Sequence, residues 1–295
     1  MSRSSRSASL RPKRDNAVRK LAKAMKNILT FIIPVRHQDN APNWQNVKRH
    51  LSEAILSISR QQGDGWKAII VANHGADLPD MPKGFTVTRV NFAPNQLYTQ
   101  GNADREQFYD AFRIDKGRRV LAGMLEAGEM GHVMIVDDDD FVSRRLTSFV
   151  GANTQANGWF IRDGYVWSDG GQLLYRSADF HRLCGSSHIV RSDLYQMPPS
   201  LEAADDTYIR RMLGSHRFIE DVLTASGTPL APLPFIGAVY RTGHAESYIG
   251  TSSILRQYFL RKDLIKTPGE LARRAFCLKL KGRRIQQEFF GLAAA

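Results

Sequence analysis

Residues His132–Val136 (HVMIV) form a short, mostly apolar run that passes without a break into four aspartates, Asp137–Asp140. Such a run reads as a buried strand, and a buried strand cannot carry four carboxylates within its own length. The acidic cluster must therefore stand where the strand emerges from a sheet. Two carboxylates about 6 Å apart repel by roughly 3 kcal/mol at an effective dielectric near 20, so the cluster calls for a counter-ion. Side chains two apart share a face in extended chain, which pairs Asp137 with Asp139 and Asp138 with Asp140. A pair facing a site can hold a hard divalent cation, Mg²⁺ or Mn²⁺, through oxygen. The alternative is a solvated acidic turn leading into a helix over Ser143–Val150. The apolar strand leading into the cluster argues against it.

The surrounding pattern predicts what that strand belongs to. Ile28–Val35 (ILTFIIPV), Lys67–Ala72 (KAIIVA) and Phe85–Phe92 (FTVTRVNF) read as further strands. Between the first two, Asn43 is placed to cap a helix in which Trp44, Val47, Leu51, Ile55 and Ile58 recur at near-helical spacing through Gln61. Asp115–Ala127 is a second helix, and the Pro- and Asn-containing stretch from Phe92 to Gln107 reads as a long connection. Strands alternating with helices imply a mostly parallel sheet covered on both faces, with ligands bound at the carboxyl ends of its strands. Met124 and Met134 are expected in the core.

The 295-residue chain needs no disulfide framework to fold, and Cys184 and Cys277 form no CxxC pair. Its apolar runs fall far short of the roughly 18 residues that span a membrane. The net charge of +12 is unevenly placed: residues 1–26 carry +8 and residues 256–295 carry +7, leaving the middle slightly acidic. A reader of nucleic acid usually carries its basic surface on the folded domain. The basicity therefore reads as tail chemistry, suited to an anionic membrane surface or to solubility.

Phosphate-binding motifs of the P-loop kind are missing, and Gly63-Asp-Gly65-Trp-Lys-Ala68 leaves a helix and enters a strand, the reverse of a dinucleotide fingerprint. Magnesium held by few carboxylates takes its other ligands from substrate phosphates, which points to a nucleotide or sugar-nucleotide.

With the first strand, a helix, a strand ending near Asn73 and a strand closing on Asp137–Asp140, residues 27–250 resemble a GT-A-fold glycosyltransferase of the family-2-like type. The resemblance implies a mostly parallel Rossmann-like sheet flanked by helices, with an abutting smaller mixed sheet on the acceptor side. It makes the acidic run a DxD motif, with Asp137 and Asp139 as ligands of Mn²⁺ or Mg²⁺. Pro34, Arg36, Asn73, Lys116, Arg119, Asp137 and Asp138 would bind the nucleotide-sugar; Asp77 and Arg118 are neighbouring candidates. In the second half, Ile219-Glu220-Asp221 reads as an acidic pair opening a helix, followed by Gly227, a strand over Pro229–Pro234, and His244. By that match Asp221, with Glu220 beside it, is the general base, and His244 a third metal ligand or a diphosphate contact. Asp205-Asp206 is the rival helix opening. The implied reaction moves a sugar from a nucleotide-sugar donor to a hydroxyl acceptor, a saccharide or lipid-linked glycan, with inversion by a carboxylate base.

On the acceptor side the candidates are Trp167, Ser186 and His216. Trp159, Tyr165 and Trp167 offer flat faces to sugar rings, or close the core between two halves. Cys184-Gly185-Ser186-Ser187 resembles an acceptor-wall loop whose glycine permits close backbone approach. The organisation expected is a basic tail (1–26), a donor half (27–150), an acceptor half (151–252) and a basic amphipathic segment (253–295). That last segment either lies on an anionic inner membrane or packs back on the domain. The location implied is cytoplasmic, peripheral on the inner membrane face. Two rival readings keep the cation: a nucleotidyltransferase or nuclease, and a non-catalytic cation-binding module.

Overall fold

The computed structural model describes residues 27–98, 105–243, 254, 258–259 and 268–293. Apolar runs set down its strands: β1 (Leu29–Pro34), β2 (Trp66–Asn73), β3 (Phe85–Val90), β4 (His132–Ile135), β5 (Phe141–Val142) and β6 (Gly158–Phe160). They continue with β7 (Gly164–Ser168), β8 (Leu173–Ser177), β9 (His188–Arg191), β10 (Ala231–Pro232), β11 (Ala238–Thr242) and β12 (Leu278–Leu280). A seven-stranded sheet runs β10-β6-β9-β4-β1-β2-β3, and a five-stranded sheet runs β12-β8-β7-β11-β5. In the first, β1 lies parallel to β2 and β4, and β2 to β3, whereas β9 is antiparallel to both β4 and β6. In the second, β7 and β11 are parallel and the remaining pairs antiparallel. This is the expected α/β architecture, a mostly parallel sheet with a smaller mixed sheet against it.

The core follows from the two-residue period of the strands. Leu29, Phe31, Ile33 and Val35 face one side, where α1 (Trp44–Ile58) packs with Val47, Leu51, Ile55 and Ile58. Ile32 faces the other side, against Val120, Leu121 and Met124 of α2 (Arg105–Ala127). As predicted, the Asn43 side chain caps α1, accepting from the amides of Gln45 and Asn46. Met124 and Met134 are fully buried.

Several boundaries differ from the sequence reading. α2 begins at Arg105, ten residues before the expected start. Its first turns carry Tyr109 and Phe112 toward a cleft rather than the core, so no core-facing stripe marks them. The expected strand over Pro229–Pro234 shrinks to β10, whose two residues pair with β6. Beyond α3 (Leu146–Gly151), the short α4 (Asp206–Tyr208) runs on into a π-helical stretch, Ile209–Leu213. The acidic pair Glu220-Asp221 does not open a helix. α5 (His216–Ala225) starts earlier, capped by Ser215, which accepts from the amide of Arg217. Ser215 competes better because its hydroxyl reaches an otherwise unbonded amide of the first turn.

The C-terminal residues include α6 (Pro268–Phe276) and α7 (Arg283–Phe289). α7 packs back on the domain: Phe289 meets Tyr165 edge to face, and the adjoining Phe290 lies 4.4 Å from Phe141 between ring centres. Among the described residues no helix is long and apolar enough to cross a membrane.

Candidate functional site

A cleft of about 420 Å³ opens where β1 and β4 end, within the size range of small-molecule sites. Pro34 and Arg36 enter it from the end of β1. α2 contributes Tyr109, Phe112, Arg113, Asp115, Lys116 and Arg119, and the acidic run contributes Asp137, Asp138 and Asp139. Gly185, the Gly214–Arg217 segment and Tyr240 close the remaining sides.

The acidic run is a turn, not an extended segment, and the pairing expected of alternate side chains does not occur. The amide of Asp140 bonds back to the carbonyl of Asp137 at 3.2 Å. The turn leaves Asp137, Asp138 and Asp139 at the cleft and sends Asp140 inward, fully buried. There its carboxylate accepts from Ser186 Oγ (2.6 Å), Cys184 Sγ (3.1 Å) and the amide of Arg241 (3.1 Å). Burial, with the nearby charges of Asp139 and Asp137, pushes the Asp140 carboxyl well above the ordinary range. Ser186 Oγ also accepts from the amide of Asp137 at 2.8 Å, so one hydroxyl holds both ends of the turn.

Lys116 pairs with Asp137. Burial opposes the charge of Lys116, but Asp137, helped by Asp140, outweighs it and raises the ammonium's pKa. Gly185 lies against this pair: a Cβ there would meet the Asp137 carboxylate and approach Lys116 Nζ to 2.8 Å. One helical turn on, Arg119 is held by both oxygens of Asp115, each contact 3.0 Å, and donates to Asn73 Oδ1 at 2.7 Å. Asn73 is buried, accepts from the Arg119 guanidinium and does not line the cleft. Asp77 is tied instead to Lys48 at 2.8 Å, and Arg118 to Asp206 at 3.2 Å on the surface.

His216 lines the cleft. Burial, reinforced by Lys116 and His188, pushes its imidazole down to about 3, so the ring is neutral near pH 7. Its Nε2 lies 3.3 Å from the carbonyl of Arg182, which assigns the proton to that nitrogen and leaves Nδ1 as an acceptor.

Other expected residues stand elsewhere. Asp221 is exposed on α5 and does not line the cleft. Glu220 faces His188, with Oε2 3.4 Å from Nε2, and that hydrogen bond lowers its pKa. Asp205 caps α4 by accepting from the amide of Tyr208 at 2.7 Å. Trp167 is a core residue, packed edge to face on Phe141 and Phe290, as are the buried Trp159 and Tyr165. Ser186 sits behind the acidic turn rather than on an acceptor wall. His244 lies outside the described residues.

Sequence reasoning missed the aromatic wall of Tyr109 and Phe112, and it missed Arg241. Arg241 is completely buried on β11 and reaches Asp139 O (2.9 Å), Asp169 Oδ1 (3.0 Å) and Glu53. Neither the aromatic pair, which feeds no core stripe, nor the isolated Arg241 left a signal in the sequence pattern.

Among the described residues no three His, Cys, Asp or Glu side chains converge on one point. The partly exposed Asp139 and the buried Asp138, whose Oδ2 is fully enclosed, nonetheless line the cleft. That is the set used by a hard divalent ion whose other ligands come from phosphate and water. The residues fit such an ion, and the engagement of Asp137 by Lys116 moves the emphasis from Asp137 to its two neighbours.

No family model matches the sequence, and no curated protein sequence matches it either. Among solved structures, the chain is similar to residues 1–349 of S. aureus TarS in complex with UDP-GlcNAc, with a TM-score of 0.42 and 12% identity. That alignment covers 77% of this chain and 61% of that one. A second structure of the same TarS fragment gives a TM-score of 0.40 and 13% identity, covering 73% of this chain and 60% of that one. The chain thus spans about 60% of the TarS fragment's length. A Mycobacterium tuberculosis protein solved in complex with manganese is also similar, with a TM-score of 0.30 and 9% identity, covering 72% of this chain and 90% of that one.

Proposed function

We propose that this chain is a metal-dependent glycosyltransferase of the GT-A, family-2-like type, moving a sugar from a nucleotide-sugar to a hydroxyl of a saccharide or lipid-linked glycan. The observation that carries the reading is the acidic turn at the end of β4, set in a cleft beside the α2 cations. In this reading Lys116 and Arg119, with Arg36 opposite, receive the diphosphate. Their ties to Asp137 and Asp115 hold them in place before the ligand arrives. Pro34 borders the nucleotide, and Tyr109 and Phe112 offer flat faces to a ring. Asp138 and Asp139 would hold Mg²⁺ or Mn²⁺, which when bound neutralises charge on the leaving diphosphate. His216, which lines the cleft, is neutral and keeps Nδ1 as an acceptor, would orient an acceptor hydroxyl.

The test is a thermal-shift series with UDP and GDP, with and without Mn²⁺. Binding to the native state alone adds about 2.7 kcal/mol at a hundredfold excess over Kd. For a chain of this size that raises Tm by roughly 5 °C or more. The rise is expected with Mn²⁺ and should vanish on chelation. No shift with any nucleoside diphosphate would sink the reading.

The inverting route assigned a base to Asp221, which α5 turns outward. A proton acceptor must lie within hydrogen-bond reach of the hydroxyl it activates. We therefore expect Asp221→Asn to keep transfer activity within about threefold of the parent, against the 10²–10⁴-fold that a general base contributes. A loss of a hundredfold would restore Asp221 to the chemistry.

A further inference from the structure

We propose that residues 271–280 form an anionic-membrane docking surface: the outward face of α6 and the β12 edge enter the headgroup region while flanking arginines and lysines meet acidic lipid. This deepens the tail chemistry inferred from the sequence and is independent of the donor assignment. Phe276 is 81% exposed, Leu280 72% and Leu271 41%, and all three fall within ten residues of chain. On α6, Leu271 and Ala275 stand one turn apart, as do Ala272 and Phe276, and all four are exposed. The helix thus turns a continuous apolar stripe outward.

The inward attachment is polar where a helix usually packs apolar residues. Arg274 donates to the carbonyl of Tyr258 at 2.9 Å, and the Tyr258 ring stacks on Tyr175 of β8 at 3.9 Å. β12 is hydrogen-bonded along β8, so the exposed residues ride on a sheet edge. A soluble domain would ordinarily orient such a helix the other way round.

Charge selects the occupant. Residues 256–295 hold ten Lys/Arg and three acids, and Arg273, Lys279, Arg283 and Arg284 lie exposed beside the apolar stripe. A second copy of this chain docked by the same face would bring the same positive surface, and residues 1–26 carry +8 of their own. Both are repelled by this face. A bilayer rich in acidic lipid offers apolar depth and negative charge together, which is the pairing an interfacial basic helix uses.

The full-length chain is tested by co-sedimentation with vesicles of phosphatidylcholine alone and with about 30 mol% phosphatidylglycerol. Binding is expected to the acidic vesicles only and should weaken with salt. The double variant Phe276→Ser, Leu280→Ser keeps every charge. It is expected to reduce binding at least tenfold with Tm unchanged, since both side chains already face water. Should that variant fold poorly, Arg273→Gln with Lys279→Gln should weaken binding several-fold and flatten its salt dependence. Absence of parent binding to acidic vesicles would overturn the proposal, and so would parent-like binding by the serine double variant. So would a dimer, seen by sedimentation velocity, that the serine variant disperses. The UDP and Mn²⁺ shift, read without lipid on the same variants, should be unaltered, so the two readings fail separately.

Discussion

Replacing Asp139 with Asn is expected to reduce sugar transfer by about 10²–10³-fold, the usual loss when one stabiliser of developing charge is removed from a preorganised site. Tm should move by no more than about 2 °C, because asparagine keeps the side chain's volume and the backbone bonds of the turn. The division of labour within the acidic turn motivates the contrast. Asp140 is buried and serves the fold, accepting from Ser186, Cys184 and the Arg241 amide. Asp139 is partly exposed at the cleft. Its carbonyl, not its carboxylate, takes the bond from Arg241 Nε, and asparagine keeps that carbonyl. The side-chain change therefore removes a charge without removing the tie. Release of UDP or GDP from nucleotide-sugars in the presence of Mn²⁺, measured beside a melting curve, decides the matter. Unchanged turnover would remove the acidic run from the chemistry. Lost turnover with a large fall in Tm would make it structural, and no release by the parent either would favour the non-catalytic rival.

Arg241→Met should cost about 3–5 kcal/mol, because removing one partner of a buried ion-pair network leaves the others uncompensated. The corresponding fall in Tm is roughly 5–10 °C for a chain of this length. Arg241 is fully buried, lies over the rings of Phe141 (4.7 Å) and Trp167 (5.3 Å), and pairs with Asp169 and Glu53. Burial pushes the Asp169 carboxyl up, yet the hydrogen bond from Arg49 and the charges of Arg241 and Arg49 outweigh it and hold the group down to about 2. Its folded pKa is below the unfolded value near 3.9. The stabilisation is therefore complete above about pH 4 and disappears as pH falls through 2. Allowing for solvent screening, this one group accounts for about 1–2 kcal/mol. In the Met variant that acid-dependent loss should shrink, since a cation facing Asp169 is gone. Circular-dichroism melts between pH 2 and 5 test both points. A fall of less than about 2 °C at neutral pH would show that the network contributes little.

How much of this was legible in the sequence depended on distance along the chain. β1, β2 and β4 were readable because each is a nearly unbroken apolar run, as a strand covered on both faces must be, and the edge strand β3 by its alternation of apolar and polar residues. The first helix was readable because Asn43 caps it and one stripe of residues feeds the core. The start of α2 was hidden because Tyr109 and Phe112 line a cleft, so their spacing carries no core signal. Asp221 looked like a helix opening until Ser215 took that position. At the site, the position of the acidic run followed from the strand before it. The separate duties of Asp138, Asp139 and Asp140 did not, because they depend on a turn whose outer partners, Ser186 and Arg241, lie 46 and 101 residues from Asp140. Trp167 shows the same limit: an alternating aromatic stretch reads alike whether it greets a ligand or, as here, Phe141 and Phe290.

The placement of Arg241 has a consequence for how the molecule comes apart. Its backbone belongs to β11 of the smaller sheet, its guanidinium reaches Glu53 on α1, and its amide and Nε grip the acidic turn that ends β4 of the larger one. Neither β11 nor α1 can pull away without disturbing that turn, which couples the two sheets to the cleft floor. Heat or acid should erase the ligand-binding geometry and the tertiary structure in a single transition, leaving no partly melted species that still recognises its ligand.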